Sequence, residues 1–408
     1  MQTSVVVTGM GCITAAGNNI DEFSDTIFTT KKNDSIAPIT LFDNQNLTTK
    51  IAAEVKNYQA SEHFSRNELK QLDRFAQFAL LASQEAINNA NIIFDDNNVK
   101  RTCVIHGTSI GGQKTIEHSY QQLHLEGKTR AHPFTIPKLL PSSATGHIAM
   151  RYGIKGPAFA TSSACSSSGH AIAMATMMIR TNMVDIAIVG GAEACITQGN
   201  FYAWEGLRVL AHDTCRPFSA DRSGLVIGEG AGTLILESLD HANKRGAKIY
   251  GQVTGVGMSS DAHSIVQPLC EGAEQAMNSA LQDANLAAES IQYINAHGSG
   301  TIQNDLTETQ AIKNVFQGHA QQLYVSSTKS SHGHVLGAGS VIECIATLLA
   351  LQKQQVPPTK NFTKADSACD LNYTINKAVS SPIQHAMCNS FAFGGLNTTL
   401  IFSAKSLL

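Results

Sequence analysis

Charge is scarce in this chain. Only 15% of its 408 residues are Asp, Glu, Lys or Arg, against about 25% in ordinary soluble domains, and 43% are hydrophobic. A surface so poor in charge is expected to be partly covered, which points to an oligomer. No long run of either sign occurs and the net charge is −3, so neither nucleic acid nor an anionic membrane is a bulk partner. Paired cysteines are missing as well. The nine cysteines (12, 103, 165, 195, 215, 270, 344, 369, 388) stand singly with no CxxC, which argues against a zinc site and a disulfide framework and fits a reducing cytoplasm. The N-terminal "MQTSVVVTGMGCITAAG" has no basic n-region and reads as a strand, not a signal peptide. The apolar stretch "HAIAMATMMIRTNMVDIAIVGG" is interrupted by Arg180, Asn182 and Asp185, so no transmembrane helix is expected.

The length exceeds one ordinary core and suggests two domains. Apolar β-rich runs ("VVVTG", "TCVIHGTS", "DIAIVGG", "GTLILES", "IYGQVTG", "TTLIFS") alternate with helical patterns such as "DRFAQFALLASQEAINNA" and "EGAEQAMNSALQDAN". That alternation is the signature of an α/β fold with buried parallel strands. Three pairs of segments resemble each other in chain order: "VVVTGMGC" (5–12) with "GQVTGVGM" (251–258), "SSSGHAI" (166–172) with "SSHGHVL" (330–336), and "GEGAGTLIL" (228–236) with "GGLNTTLIF" (394–402). They divide the chain into two similar halves, 1–245 and 246–408, joined at "HANKRGAK".

One cysteine has a distinctive setting. In "FATSSACSSSGHAI" (159–172), Cys165 follows a strand-like "PAFAT" and precedes "GHAIAMATMMIR", a helix with hardly a polar face. Unpaired amides and the dipole at a helix start favour a thiolate, and a lowered pKa makes a thiol nucleophilic. The small neighbours leave room for a substrate, while the other eight cysteines read as inert small hydrophobes. A nucleophile needs partners. His297 in "NAHGSGTIQND" and His334 in "TKSSHGHVLGAGS" each follow a strand-like run, "IQYI" and "QLYVSST", and are flanked by Gly, Ser and Thr, as loops that approach a ligand are.

The cysteine segment, "NAHGSGT", "KSSHGHVLGAGS", "CRPFSADRSGLVIGEGAG" and "CNSFAFGGLNTTLIF" together resemble the elongating β-ketoacyl-acyl-carrier-protein synthases of type II fatty-acid and polyketide systems. The resemblance runs over essentially the whole chain. It implies the duplicated, five-layered αβαβα thiolase-like fold and a decarboxylative Claisen condensation with malonyl-carrier protein, with no cofactor and no metal. It implies Cys165 as the nucleophile that takes the acyl group. His297 and His334 then promote decarboxylation and hold the developing enolate and carbonyl oxygen. Lys329 orients them, with Asp305, Glu308 and Glu343 in supporting positions. The amides of Cys165 and Phe393 are implied as a second oxyanion hole. The implied partners are an acyl carrier protein and a second ketosynthase-like subunit, identical or related.

There are departures from the family. The gate beside Phe391 reads "AFGGL" in place of Gly-Phe-Gly-Gly-Thr, so Ala392 stands where glycine is usual, and alanine resists positive φ. Ser299 replaces a threonine and, with Thr301, is expected against the pantetheine arm. "AWEGLRVLAHDTCRPFS" resembles synthases of polyene or nodulation-factor acyl chains. Trp204 replaces a phenylalanine expected at the far end of the acyl tunnel, close to Ile110. In "SRNELKQLDRF", Arg66, Lys70 and Arg74 recur every four residues and predict one basic helical stripe for an acidic carrier, with Arg208 near the tunnel mouth.

Three rival readings exist. Gly107–Gly111 forms GxSxG after a strand, as in a serine hydrolase using Ser109, although the same turn also reads as tunnel lining. "VVVTGMGCIT" lacks the third glycine of a dinucleotide fingerprint, since Thr14 stands there. Inactive chain-length partners of the family lack the cysteine that this chain carries, which leaves a heterodimer open.

Overall fold

The computed structural model describes residues 3–30 and 34–407. To the main sheet the first half contributes five strands, Val5–Thr14 (β1), Thr102–Gly107 (β2), Ala158–Thr161 (β3), Ile186–Glu193 (β4) and Gly230–Ser238 (β5). The second half contributes Gly251–Ser260 (β6), Tyr293–Asn295 (β7), Tyr324–Ser326 (β8), His385–Ala392 (β9) and Leu396–Ser403 (β10). All ten join one sheet in the order β8-β7-β9-β10-β6-β1-β5-β4-β2-β3. Adding five to each first-half strand converts its order, 3-2-4-5-1, into that of the second half. The directions repeat too. In each half the outer three strands are parallel and the next two contacts are antiparallel. The sheet is therefore mixed, not parallel as the alternating pattern suggested. β9 and β10 are joined by the tight turn 393–395, and a connection that short can link only antiparallel neighbours.

The half-sheets meet at a narrow seam, Val5–Val7 of β1 against Gly251–Val253 of β6. The helices that position the site are Arg74–Ala90 (α1), Gln113–His124 (α2), Thr135–Leu139 (α3), Ser167–Arg180 (α4), Gln198–Leu207 (α5), Cys270–Ala284 (α6), Ile302–Phe316 (α7), Lys329–His332 (α8) and Gly339–Lys353 (α9). α4 and α9 pack together between the half-sheets, α1 covers β1 and β5, and α6 covers β6 and β10. The layers run helix, sheet, helix, sheet, helix. The segment Leu336–Lys353 is long and apolar enough to cross a membrane, but 89% of it is buried inside the protein, so here it is the central core helix.

The first internal match has a packing cause. A Cβ on Gly9 or Gly11 of β1 would lie 2.2 Å from the carbonyl oxygens of Ala86 or Ala82 of α1. On Gly255 or Gly257 of β6 it would lie 2.3 or 1.9 Å from those of Ala280 or Ala276 of α6. In both halves, paired glycines let an alanine-faced helix press onto the strand. The same contact explains "VTGMG" without a nucleotide.

Candidate active site

Cys165 sits in a sharp elbow between β3 and α4. Ala164 has φ +50°, a left-handed conformation that a residue with a Cβ adopts only when its surroundings enforce it. The enforcement comes from the serines. Ser167 Oγ donates to Ala164 O at 2.6 Å and accepts from Ser163 N–H at 2.9 Å. Ser166 Oγ donates to Leu396 O at 2.7 Å, and Ser168 Oγ accepts from Val341 N–H at 3.0 Å. All three are buried. The small run thus has a second role beyond the expected one: these hydroxyls tie the elbow to α9 and to the turn after Ala392.

The second half supplies the loops around it. His297 follows β7, and His334 follows α8; their rings lie edge to face, 5.3 Å apart. Cys165, His297 and His334 line one cavity of about 110 Å³, together with Ser299, Thr301, Trp204 and residues 391–395. His334 is also held by the first half, donating its N–H to Val226 O at 2.7 Å and accepting from Gly228 N–H at 2.9 Å. Leu336 N–H donates to His334 Nδ1 at 3.3 Å. Lys329 Nζ, which can only donate as an ammonium, lies 3.3 Å from His297 Nδ1 and 2.5 Å from His297 O, and pairs with Glu343. With both Nδ1 atoms accepting, the network assigns the protons to both Nε2 atoms. Burial, aided by the Lys329 charge, pushes both imidazoles well below the usual histidine range, so they are neutral N–H donors near pH 7.

The three carboxylates are all buried, and each fixes a loop. Glu308 accepts from the N–H groups of His297 and Gly298, each at 2.8 Å. Asp305 accepts from Phe218 N–H at 2.7 Å and Gly300 N–H at 3.2 Å. Glu343 balances Lys329. Burial raises Asp305 to about 6 and Glu308 and Glu343 to about 7. Ser299 Oγ and Thr301 Oγ1 are 2.8 Å apart at the cavity wall.

Several expectations are corrected by this geometry. The thiol is not acidified: burial pushes Cys165 up to about 11, against the opposing pull of the Lys329 charge and a hydrogen bond from Phe393 N–H. The helix start lies two residues on, at Ser167, and the sulfur is enclosed. Ala392 is extended, with φ −119°; the positive φ values fall on Gly394 (+81°) and Gly395 (+67°), so alanine carries no strain. Trp204 lines the cavity that holds Cys165, and its ring stacks on Phe393, centroids 5.9 Å apart at 27°; Ile110 is 36% exposed and is not among the residues lining that cavity.

The basic stripe does not form. Arg66–Leu69 is a single turn, and α1 starts afresh at Arg74, capped by the Asp73 side chain. Arg66 and Lys70 are exposed, but Arg74 turns inward, bidentate on buried Glu229 at 2.7 Å and stacked over Tyr58 and Phe78. Arg208 is exposed at the left-handed end of α5. The Ser109 hydroxyl has no hydrogen-bond partner, so it lacks the base that a hydrolase requires. Gly107 is needed instead because a Cβ there would meet the Ser167 and Ser168 backbone at 2.4 Å.

Comparison with known proteins bears on the whole chain. Residues 2–242 match the β-ketoacyl synthase N-terminal domain, and residues 250–363 match its C-terminal domain. The chain belongs to the β-ketoacyl synthases. This synthase is 44% identical over 403 residues to nodulation protein E of Rhizobium leguminosarum bv. trifolii, covering 98% of this chain and 99% of that one. It is 40% identical over 406 residues to 3-oxoacyl-[acyl-carrier-protein] synthase 2 of Synechocystis, covering 98% and 97%. Among solved structures, the ishigamide ketosynthase/chain length factor superposes with a TM-score of 0.94 at 31% identity, covering 99% of this chain and 100% of that one. The synthase is thus a thiolase-like enzyme of Claisen chain elongation, as its motifs implied. What motif reading missed are the contacts that aim the site: the serine hydroxyls, the 226–228 strap on His334 and Leu336 N–H. The serine cluster was visible in sequence, but its partners stand far off in the chain.

Proposed function

We propose that Cys165 accepts an acyl group from an acyl carrier protein and that His297 and His334 drive its condensation with malonyl-carrier protein. The observation that carries this reading is the pair of neutral imidazoles, both set as Nε2–H donors, in one cavity with the thiol. In the first step Cys165 sulfur attacks the acyl thioester, the carrier C–S bond breaks, and the thiol proton passes to the departing pantetheine sulfur. The Cys165 and Phe393 amides hold the oxyanion. In the second step the malonyl carboxylate leaves as CO₂ and its electron pair forms an enolate, whose oxygen accepts from both Nε2–H groups. The enolate carbon attacks the acyl carbonyl, and Cys165 sulfur leaves. The product is a β-ketoacyl-carrier protein two carbons longer. Lys329 keeps His297 in the donor tautomer, and Glu308, Asp305 and Glu343 hold the loops.

A cavity of about 110 Å³ is too small for an extended acyl chain, since ligand sites usually run to roughly 300 Å³ or more. Loading therefore moves the gate 391–395, now latched by Gly394 N–H to Ile265 O at 2.8 Å and by Asp261 N–H to Gly395 O at 3.0 Å. Trp204 on Phe393 adds to that latch and favours flat, unsaturated chains that can stack; the similarity to nodulation protein E supports a specialised acyl chain. Arg66, Lys70 and Arg208 meet the acidic carrier, and Lys70, Lys114 and Lys138 line a neighbouring groove that adds positive charge. The domain division is 1–245 and 246–408, on the repeated strand order. Its partner is a second ketosynthase-like subunit, with the free edge of β3 and exposed Phe159, Met174 and Met177 as the contact face. A cytoplasmic location fits the nine free cysteines. The test separates the two steps. His334→Ala and His297→Ala should still acylate Cys165 from acyl-carrier protein, yet fail to release CO₂ from malonyl-carrier protein; loss of acylation alone, with CO₂ release intact, would overturn the assignment.

A further inference from the structure

Glu193, the last residue of β4, is fully buried and plays no part in the chemistry above. Its carboxylate receives four donors. Oε1 accepts from Thr108 Oγ1 at 3.0 Å and from the Cys195 thiol at 3.2 Å; Oε2 accepts from Ser109 N–H at 2.7 Å and Gly337 N–H at 3.1 Å. Two of these are backbone amides, which only donate, and the Thr108 hydroxyl already accepts from Gly111 N–H at 3.1 Å. All four contacts suit the ion, and they oppose the burial that pushes the Glu193 carboxyl above its usual range. The four donors come from both halves of the molecule. Thr108 and Ser109 follow β2, whereas Gly337 stands three residues after His334, in the turn whose Leu336 N–H meets His334 Nδ1. That turn is constrained: Leu336 has φ +44°, and a Cβ on Gly337 would lie 2.4 Å from Ser109 N. Without a clamp, a residue held at positive φ relaxes, and Leu336 N–H swings off the imidazole.

We propose that Glu193 is a positioning residue for decarboxylation: its carboxylate clamps the turn after His334 to the turn after β2 and so keeps the His334 ring presenting Nε2–H. The inference rests on the role given to His334 above. Glu193 also places a negative charge near Cys165 and opposes its ionisation, as does Glu343, while Lys329 favours it. The carboxylate therefore has two separable effects, one through reach and one through charge.

Glu193→Gln removes the charge and one acceptor: with its oxygen kept on the Ser109 and Gly337 amides, its NH₂ replaces an acceptor of the Thr108 hydroxyl and the Cys195 thiol. Release of CO₂ from malonyl-carrier protein should fall roughly ten- to a hundredfold, as expected for a displaced donor. Iodoacetamide alkylation of Cys165 at a fixed pH near 8 should become faster, because its pKa falls when a like charge is removed. Damage to packing alone would not move the two readouts in opposite directions. Glu193→Asp keeps the charge but shortens the reach, so CO₂ release should fall while the alkylation pH profile stays in place; this variant also serves if the glutamine protein does not fold. On a His334→Ala background, Glu193→Gln should cost no further CO₂ release. Wild-type CO₂ release in both Glu193 variants, or a second full loss on that background, overturns the inference. Retained CO₂ release in His334→Ala itself overturns the His334 role instead.

Discussion

The two halves share one strand order and one set of strand directions, yet they carry different chemistry at corresponding ends. In the first half, β3 ends at Thr161 and α4 begins at Ser167; in the second, β8 ends at Ser326 and α9 begins at Gly339. The short connection can form only an elbow, and it holds the nucleophile. The longer one has room for α8 and a second turn, and it holds Lys329 and His334. The repeated scaffolds face a common cavity, and of these two equivalent connections the short one carries the nucleophile and the long one a donor, while the other donor, His297, follows β7. Function follows the connections here, and the strands follow packing.

This contrast predicts separable losses. Cys165→Ala should lower condensation by roughly 10⁴-fold or more, as removal of other catalytic nucleophiles does, while CO₂ release from malonyl-carrier protein persists. Substantial condensation by this variant, measured by mass spectrometry of the carrier product, would break the comparison. Loss of either donor histidine should cost roughly 10²- to 10³-fold in CO₂ release and leave acylation in place.

The next effect concerns the elbow alone. A thiol pushed up to about 11 is protonated from pH 7 to 9, so its thiolate fraction should grow about tenfold per pH unit. Alkylation of Cys165 by iodoacetamide should rise about a hundredfold over that range. A plateau below pH 8 would restore the acidified thiol expected from the helix start. Cys165 should nevertheless label before the other eight cysteines, since it alone lines the reactive cavity.

Arg66 and Lys70 can be set against Arg74. Reversing the two exposed charges should raise KM for acyl carrier protein about tenfold, with little change for a small pantetheine thioester. Arg74→Ala should instead cost about 3 to 5 kcal/mol of stability, because buried Glu229 loses its counterion, and thermal unfolding will show it. Equal KM effects on both substrates would remove Arg66 and Lys70 from the docking surface. The smallest effect is expected at Trp204→Phe: a shift toward longer saturated acyl chains, and in the wild type a change of tryptophan emission when Cys165 is loaded. Unchanged profiles and emission would leave Trp204 as packing.

Much of this was legible in the chain. The helices at 74–90 and 270–284 and the principal strands follow from apolar periodicity and local propensity, which act over neighbouring residues. The glycine pairs at 9/11 and 255/257 announce close helix contact, and Cys165, His297, His334 and Lys329 stand in motifs specific enough to indicate the reaction. Other properties could not be read there. The ionisation of Cys165 depends on its enclosure and on Lys329; the inward turn of Arg74 depends on Glu229; the stack of Trp204 depends on Phe393; and the tautomer of His334 depends on a backbone amide in a strained turn. Each joins groups whose approach, burial or orientation is set only when the halves close on one another. Sequence determined the elements and the reactive side chains, because those follow from local pattern and residue chemistry. Tertiary structure decided charge state, orientation and access, because desolvation and hydrogen bonding arise only when distant segments meet.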